Sequence, residues 1–307
     1  MGVVSRARNA AVVVAAAAAL LAGCSSGDDS ASGRPRVVAT TTQVADMVRQ
    51  VAGDRAEVTQ VLRPGSDPHE YEPRPSDALA IAGARVVFRS GGDVDGWLGG
   101  VIDQAGGDAR EVTLIDADGV RRLGDDPHWW QDARNAQFAV AAIRDALVRA
   151  DPGHAVAYRR DARVYQERLM GLDAAIAACT DRLPRERRKL VTSHDSLGYY
   201  ARRYGFEVVG AAIPSQSSQA QPSAAATQRL VDQIRSQHVP AIFPESALNP
   251  KLEEAIARDA HARVAPPLWA DALGPPGTPG ATYADALRAN TRTIVGALGG
   301  GSVKCRL

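Results

Sequence analysis

Between Tyr158 and Leu183 apolar side chains recur in steps of four and three: Tyr158, Ala162, Tyr165, Leu169, Leu172, Ile176, Cys179 and Leu183. That spacing puts them on one helical face, with Arg, Asp and Glu on the other. Asp151-Pro152-Gly153 supplies an N-cap with Pro at the first helical position, and Pro184 stops the run. The segment 151–183 is therefore predicted as one helix of about thirty residues, a rod of about 45 Å. A coiled-coil partner is the other reading of such a stripe, but the run covers only about four heptads. Its flanks favour a rod packed along two globular halves.

On both sides the chain alternates strand and helix. Before the stripe, Arg36-Val-Val-Ala-Thr40 is β-rich, Gln43 to Val51 is amphipathic, Gly53 closes that helix, and Glu57-Val-Thr-Gln-Val-Leu62 follows as a strand. After it, Lys189-Leu-Val-Thr-Ser193 reads as a strand, Leu197 to Tyr204 as a helix stopped by Gly205, and Phe206-Glu-Val-Val209 as the next strand. Each Gly stands where a helix C-terminus calls for positive φ. The pattern predicts an α/β fold of two similar lobes, 35–150 and 184–307, joined by one long rigid helix, 151–183. A length of 307 residues accommodates two such units, and 45% apolar residues exclude global disorder. With 36 Lys+Arg against 35 Asp+Glu, no general electrostatic grip on nucleic acid is expected. Arg185-Glu-Arg-Arg-Lys189 reads as a solvated entry to the second lobe, and Gly274 to Gly280 as a loop before the last helix.

The first residues belong to export rather than to the fold. Arg6 and Arg8 precede an uncharged Ala/Val run from Ala10 to Ala22, the pattern of a signal peptide and too short for a stable membrane span. The run ends in Leu21-Ala22-Gly23-Cys24, which resembles the bacterial lipobox. That resemblance implies removal of residues 1–23 and a diacylglycerol on Cys24. Residues 24–34 are a Gly/Ser-rich polar tether. The expected location is the outer face of the cytoplasmic membrane, anchored by lipid. Cys179 and Cys305 are then an even pair in an oxidising compartment, so a disulfide is the default pairing, with two free thiols as the alternative. Closing that loop would stabilise by about 4–5 kcal/mol in the chain-entropy picture.

Three of the six His share a context, shortly after a predicted strand and beside an acid. His69 lies in Asp67-Pro-His-Glu-Tyr-Glu-Pro73 after the strand ending at Leu62, and His128 in Asp126-Pro-His-Trp-Trp-Gln-Asp132 after Val112-Thr-Leu-Ile115. His194 ends the strand that begins at Lys189. In parallel α/β sheets ligands bind beyond the carboxyl ends of strands. His154, His238 and His261 lack this context and read as surface residues. Three neutral imidazoles suit a borderline cation such as Zn²⁺, which takes four N, S or O ligands in a tetrahedron. Two later strand ends offer a carboxylate for the fourth place, Glu245 and Asp271, and spacing does not choose between them. Trp129 and Trp130 are expected to shield the site. Ser193, His194 and Asp195 are consecutive and cannot form a catalytic triad by themselves.

Taken together, Gly65-Ser-Asp-Pro-His-Glu-Tyr-Glu-Pro-Arg-Pro-Ser-Asp77, Asp126-Pro-His-Trp-Trp130, Ser193-His-Asp-Ser-Leu-Gly-Tyr-Tyr200, Gln221-Pro-Ser223 and Glu245-Ser-Ala-Leu-Asn-Pro-Lys251 make the chain resemble a known family. It is similar to the zinc-type substrate-binding lipoproteins of bacterial metal ABC transporters, solute-binding protein family 9. The resemblance implies two α/β lobes on one long helix, with metal in the cleft between them. It also implies His69 and His128 as ligands from the first lobe, and His194 and Asp271 from the second. Glu245 then corresponds to an acid that orients a ligand His. Manganese-type members carry Glu where His194 stands, so this position favours zinc.

The function implied is capture of Zn²⁺ as transported ligand and delivery to an ABC permease and its ATPase, by a monomer that is not an enzyme. Manganese or iron as cargo is the near alternative. A zinc hydrolase is the distant one, opposed by the lack of a His-Glu-x-x-His motif. Many zinc-type members carry a His-rich loop before the second ligand, whereas here Asp116 to Asp126 is short and has no His. A metal-delivering partner protein could take over that role.

Overall fold

The computed structural model of the chain describes residues 33–305 and 307, so the export signal, Cys24 and the tether up to residue 32 lie outside the described residues. Runs of Val set the first lobe: β1 (Arg36–Ala39), α1 (Thr42–Ala52), β2 (Glu57–Gln60), α2 (Pro75–Ala82), β3 (Val86–Arg89), α3 (Leu98–Ala105) and β4 (Arg110–Thr113). The four strands are parallel in the order β2-β1-β3-β4. Val37, Val38, Val86, Val87 and Phe88 of the two central strands are all buried, as strands covered on both faces require. Thr41 caps α1 by accepting from the Val44 N–H at 3.3 Å, and Gly53 ends it at φ 57°. The strand expected to run to Ile115 stops at Thr113. Leu114–Asp116 turns into a short 3₁₀ helix that drives Leu114 and Ile115 into the core.

After α4 (Ala133–Ala150) comes the long helix α5 (Ala155–Thr180), on which every predicted stripe residue from Tyr158 to Cys179 is buried. Its stripe packs on α1 and α4 and, further on, on the chain's last helix, which leaves no seam for a coiled-coil partner. The helix is shorter than 151–183. Pro152–His154 forms a 3₁₀ turn first, with the Asp151 carboxylate accepting from Tyr158 Oη at 2.8 Å instead of capping. At the other end Leu183 N–H bonds Thr180 in a tight turn, and 26 residues at about 1.5 Å each give about 39 Å.

The second lobe holds β5 (Lys189–His194), α6 (Gly198–Tyr204), β6 (Glu207–Ile213), α7 (Ala224–Ser236), β7 (Ala241–Ile242), α8 (Lys251–Ala260), β8 (Arg263–Val264) and α9 (Tyr283–Leu298). β5 pairs with β6 and β7 with β8, all in parallel. A Thr192–Phe243 bridge joins the two pairs into the order β6-β5-β7-β8, the same winding as the first lobe. Ser223 caps α7, and Gly205 ends α6 in the left-handed region. The charge run 185–189 is not wholly solvated. Arg188 is buried, donating to the Leu183 carbonyl and to Asp181. Cys179 and Cys305 are joined as a disulfide, Cα–Cα 5.3 Å, which ties the end of α5 to the C-terminal segment.

Candidate metal centre

Asp-Pro-His occurs twice, and each copy folds as the same small turn. The Asp67 carboxylate accepts from the His69 N–H at 2.9 Å, and the Asp126 carboxylate accepts from the His128 N–H at 2.9 Å. Asp is suited to this because its short side chain reaches the backbone two residues on, while Pro withholds a competing donor. The turns follow β2 and β4 on the carboxyl edge of the first sheet. His194 is the last residue of β5, and Asp271 follows the Glu245–Leu268 bridge that extends the second sheet past β7 and β8.

These four side chains, drawn from both lobes, meet. One ligand atom from each of His69, His128, His194 and Asp271 lies within 4.8 Å of the others. The Asp271 carboxylate stands 3.3 Å from His69 Nε2, 3.1 Å from His194 Nε2 and 3.6 Å from His128 Nε2. The Nε2 atoms of His128 and His194 are 3.3 Å apart. A tetrahedral ion with ligand bonds of 2.0–2.1 Å has ligand–ligand edges of about 3.3–3.4 Å, and these four contacts lie close to that length. The set is buried, yet both Asp271 oxygens and His69 Nε2 have no hydrogen-bond partner among the described residues. Buried polar atoms left this way are costly unless something else meets them.

Two of the imidazoles are aimed by carboxylates. Asp126 lies 2.7 Å from His128 Nδ1, and Glu245 lies 2.7 Å from His194 Nδ1. An ionised carboxylate can only accept, so each Nδ1 carries a proton, and each Nε2 turns its lone pair toward the centre once its own proton is lost. Glu245 also accepts from Ser196 Oγ and the His194 N–H. The two candidate acids thus divide: Asp271 faces the three Nε2 atoms, and Glu245 stands behind His194. Trp130 lies edge-on to His128 at 5.4 Å. Its indole N–H, with Gln131 and Gln43, donates to the Ala270 carbonyl next to Asp271. The tryptophan therefore fixes the carboxylate as well as walling the site. Gly198 permits the approach of the lobes here, since a Cβ on it would lie 2.7 Å from Asp126 Oδ2.

Burial by itself would lower the basicity of His128, but the Asp271 charge and the Asp126 contact outweigh it and push its pKa up to about 9. His194 is likewise raised against burial, by Glu245 and Asp271. Burial would raise Asp271, and the charges of His128 and His194 instead hold it well below the usual carboxylate range. His154, His238 and His261 stay exposed and away from this cluster. The roles of Asp126, Asp67 and the Ala270 carbonyl escaped the sequence reading. The repeated Asp two residues before each His was the available signal for the first two.

A family model for the periplasmic component A of the zinc-uptake complex matches residues 37–297. The chain belongs to this family. It is a metal-binding solute-binding protein of the ABC transporter class and not an enzyme. The manganese-binding lipoprotein MntA of Halalkalibacterium halodurans is 32% identical over 266 residues, 86% of this chain and 88% of the relative. The zinc-binding protein TroA of Treponema pallidum is 34% identical over 280 residues, 88% and 90% respectively. Its solved structure superposes with a TM-score of 0.80 at 31% identity, covering 87% of this chain and 99% of that one. The iron-binding protein YfeA of Yersinia pestis is 30% identical over 270 residues, 86% of each chain.

Proposed function

We propose that this chain captures Zn²⁺ outside the cytoplasmic membrane and hands it to an ABC permease for import, with His69, His128, His194 and Asp271 as the ligands. The metal is cargo, bound and released unchanged. One observation carries the reading: three Nε2 atoms converge, at 3.1–3.6 Å, on a buried carboxylate whose oxygens have no hydrogen-bond partner among the described residues. Three imidazole nitrogens and one oxygen suit zinc better than the harder manganese ion. Asp271 takes the fourth position, which leaves no open place for the water that hydrolytic zinc needs. Because the ligands come from both lobes, metal occupancy and lobe position are coupled, and a permease can read one through the other.

The same reading places the mature protein on the membrane surface as a monomer held by lipid on Cys24. Residues 24–34 act as tether, 35–150 and 184–307 as the lobes, and 151–183 as the link. The short His-free segment 116–126 leaves metal collection to a delivering partner. The test is competitive titration of metal-stripped protein, from Ser25 onward, with Zn²⁺ and Mn²⁺. A single site that prefers zinc is the expected result. Preference for manganese, the metal that MntA is named for binding, would overturn the zinc assignment and keep the carrier role.

A further inference from the structure

A cavity of about 530 Å³ opens where the loop leading to His128, the start of α4, the middle of α5 and α6 meet. No residue of the metal centre lines it. Its walls carry Arg121, Arg134, Arg202 and Arg203. Arg203 is committed to Asp173 through Nε at 2.9 Å and through Nη2, and Arg134 reaches the same carboxylate at 3.5 Å. Asp132 and Asp173 are the acids of the lining, so the cavity holds cations in excess. Arg121 and Arg202 are exposed and form no ion pair with any described residue. The same lining includes Phe138 and Met170, large apolar side chains left 43% and 57% exposed.

Guanidinium groups recognise carboxylate and phosphate through paired N–H donors. An apolar wall beside them rewards an aromatic or alkyl body, and the volume falls within the range of small-molecule sites. We infer that this cavity is a second binding site, for an amphipathic anion: a phosphate or carboxylate carried on an apolar body. Arg121 lies on the loop that delivers His128, and Arg202 on the helix that follows His194. An occupant held by both spans the two lobes without touching the metal ligands. The inference does not depend on which metal is carried.

Phenyl phosphate is the probe, because it joins a dianion to an aromatic ring. Calorimetric titration of the metal-free protein is expected to show saturable binding at one site, tighter than inorganic phosphate. Arg121→Ala with Arg202→Ala weakens it about tenfold or more, since each loses a charged hydrogen bond. Met170→Ser removes the preference over inorganic phosphate. Zinc titration of the double variant stays at wild type, which shows that the protein is folded and separates this site from the metal centre. Cosedimentation with phosphatidylglycerol vesicles, displaced by phenyl phosphate, identifies a lipid headgroup as the natural anion, and its absence identifies a soluble one. Failure of phenyl phosphate to saturate, or equal binding by wild type and the double variant, overturns the proposal.

Discussion

Asp67-Pro-His69 and Asp126-Pro-His128 have the same tripeptide, the same turn and the same 2.9 Å bond from Asp to the His N–H, yet their carboxylates have different second partners. Asp126 doubles back on its own histidine, 2.7 Å from Nδ1, and the His128 residue is fully buried. Asp67 instead reaches across, its other oxygen accepting from Ser218 Oγ at 2.5 Å, in the loop between β6 and α7 of the second lobe. His69 has a buried ring on a backbone that stays partly exposed, and its Nε2 is without a hydrogen-bond partner among the described residues. One turn fixes its imidazole from within its own lobe. The other carries an imidazole whose turn is tied from across the cleft.

The largest effect should come from the group both turns share. Asp271→Ala leaves three imidazoles with no negative charge among them, and zinc affinity is expected to fall by more than the roughly 10–100-fold typical of residues that only orient a ligand. Unchanged affinity, measured by competition with a chelating dye, would remove Asp271 from the ligand set. Next come the orienting carboxylates. Asp126→Asn and Glu245→Gln should each weaken zinc about 10–100-fold, because an amide can present a donor to Nδ1 and favour the wrong tautomer. Asp67→Asn should lose far less, as it contacts no imidazole of its own. Equal losses at Asp67 and Asp126 would erase the distinction between the turns.

Much of this arrangement was legible in the chain because it is local. Strand-end positions follow from short β-branched runs, and the three histidines share a context that shows within seven residues. The α5 stripe was legible residue by residue, since periodicity reports a buried face directly. Its ends were not, because Asp151 spends its carboxylate on Tyr158 and not on a cap. The bond from Ser218 to Asp67 spans 151 positions, and that from Trp130 to Ala270 spans 140. Contacts of that range depend on how two lobes meet, and no spacing rule encodes them. Arg188 misled for the same reason: in a charge run it looks solvated, and only the fold brings the Leu183 carbonyl and Asp181 to it.

Proton linkage comes next in size. His128 sits near 9 without metal, above the ordinary histidine value of 6.5, so it holds its proton at neutral pH. Zinc must displace that proton, and affinity should rise with pH by up to about tenfold per unit for each proton released until the pKa is passed. Zinc added at pH 7 in weak buffer should therefore acidify the solution. A raised pKa also stabilises the metal-free fold, fully below 6.5, and that contribution is lost as pH rises through about 9. Asp271, held low, acts in the opposite sense: its contribution is present above 3.8 and lost as pH falls through its depressed value. The metal-free melting temperature should thus decline from pH 7 to 9, and the zinc-loaded protein should not follow it. No proton release on zinc binding would mean that His128 is already neutral, and that the Asp126 grip sets its tautomer but not its charge.

The smallest expected effect is the most specific to the comparison. Ser218→Ala removes one hydrogen bond to Asp67, about 1 kcal/mol or about fivefold. If the second lobe secures the His69 turn only once the cleft is shut, this loss should appear in the rate of zinc release and leave capture unchanged, because Ser218 is not needed until closure. Stopped-flow release into excess chelator should then be about fivefold faster, with the association rate as in wild type. The bond from His128 to Asp126 closes within one lobe, so Asp126→Asn gives no reason for the same division between rates. Release unchanged in Ser218→Ala would show that the His69 turn stands by itself, and the two Asp-Pro-His turns would differ in geometry but not in what they do.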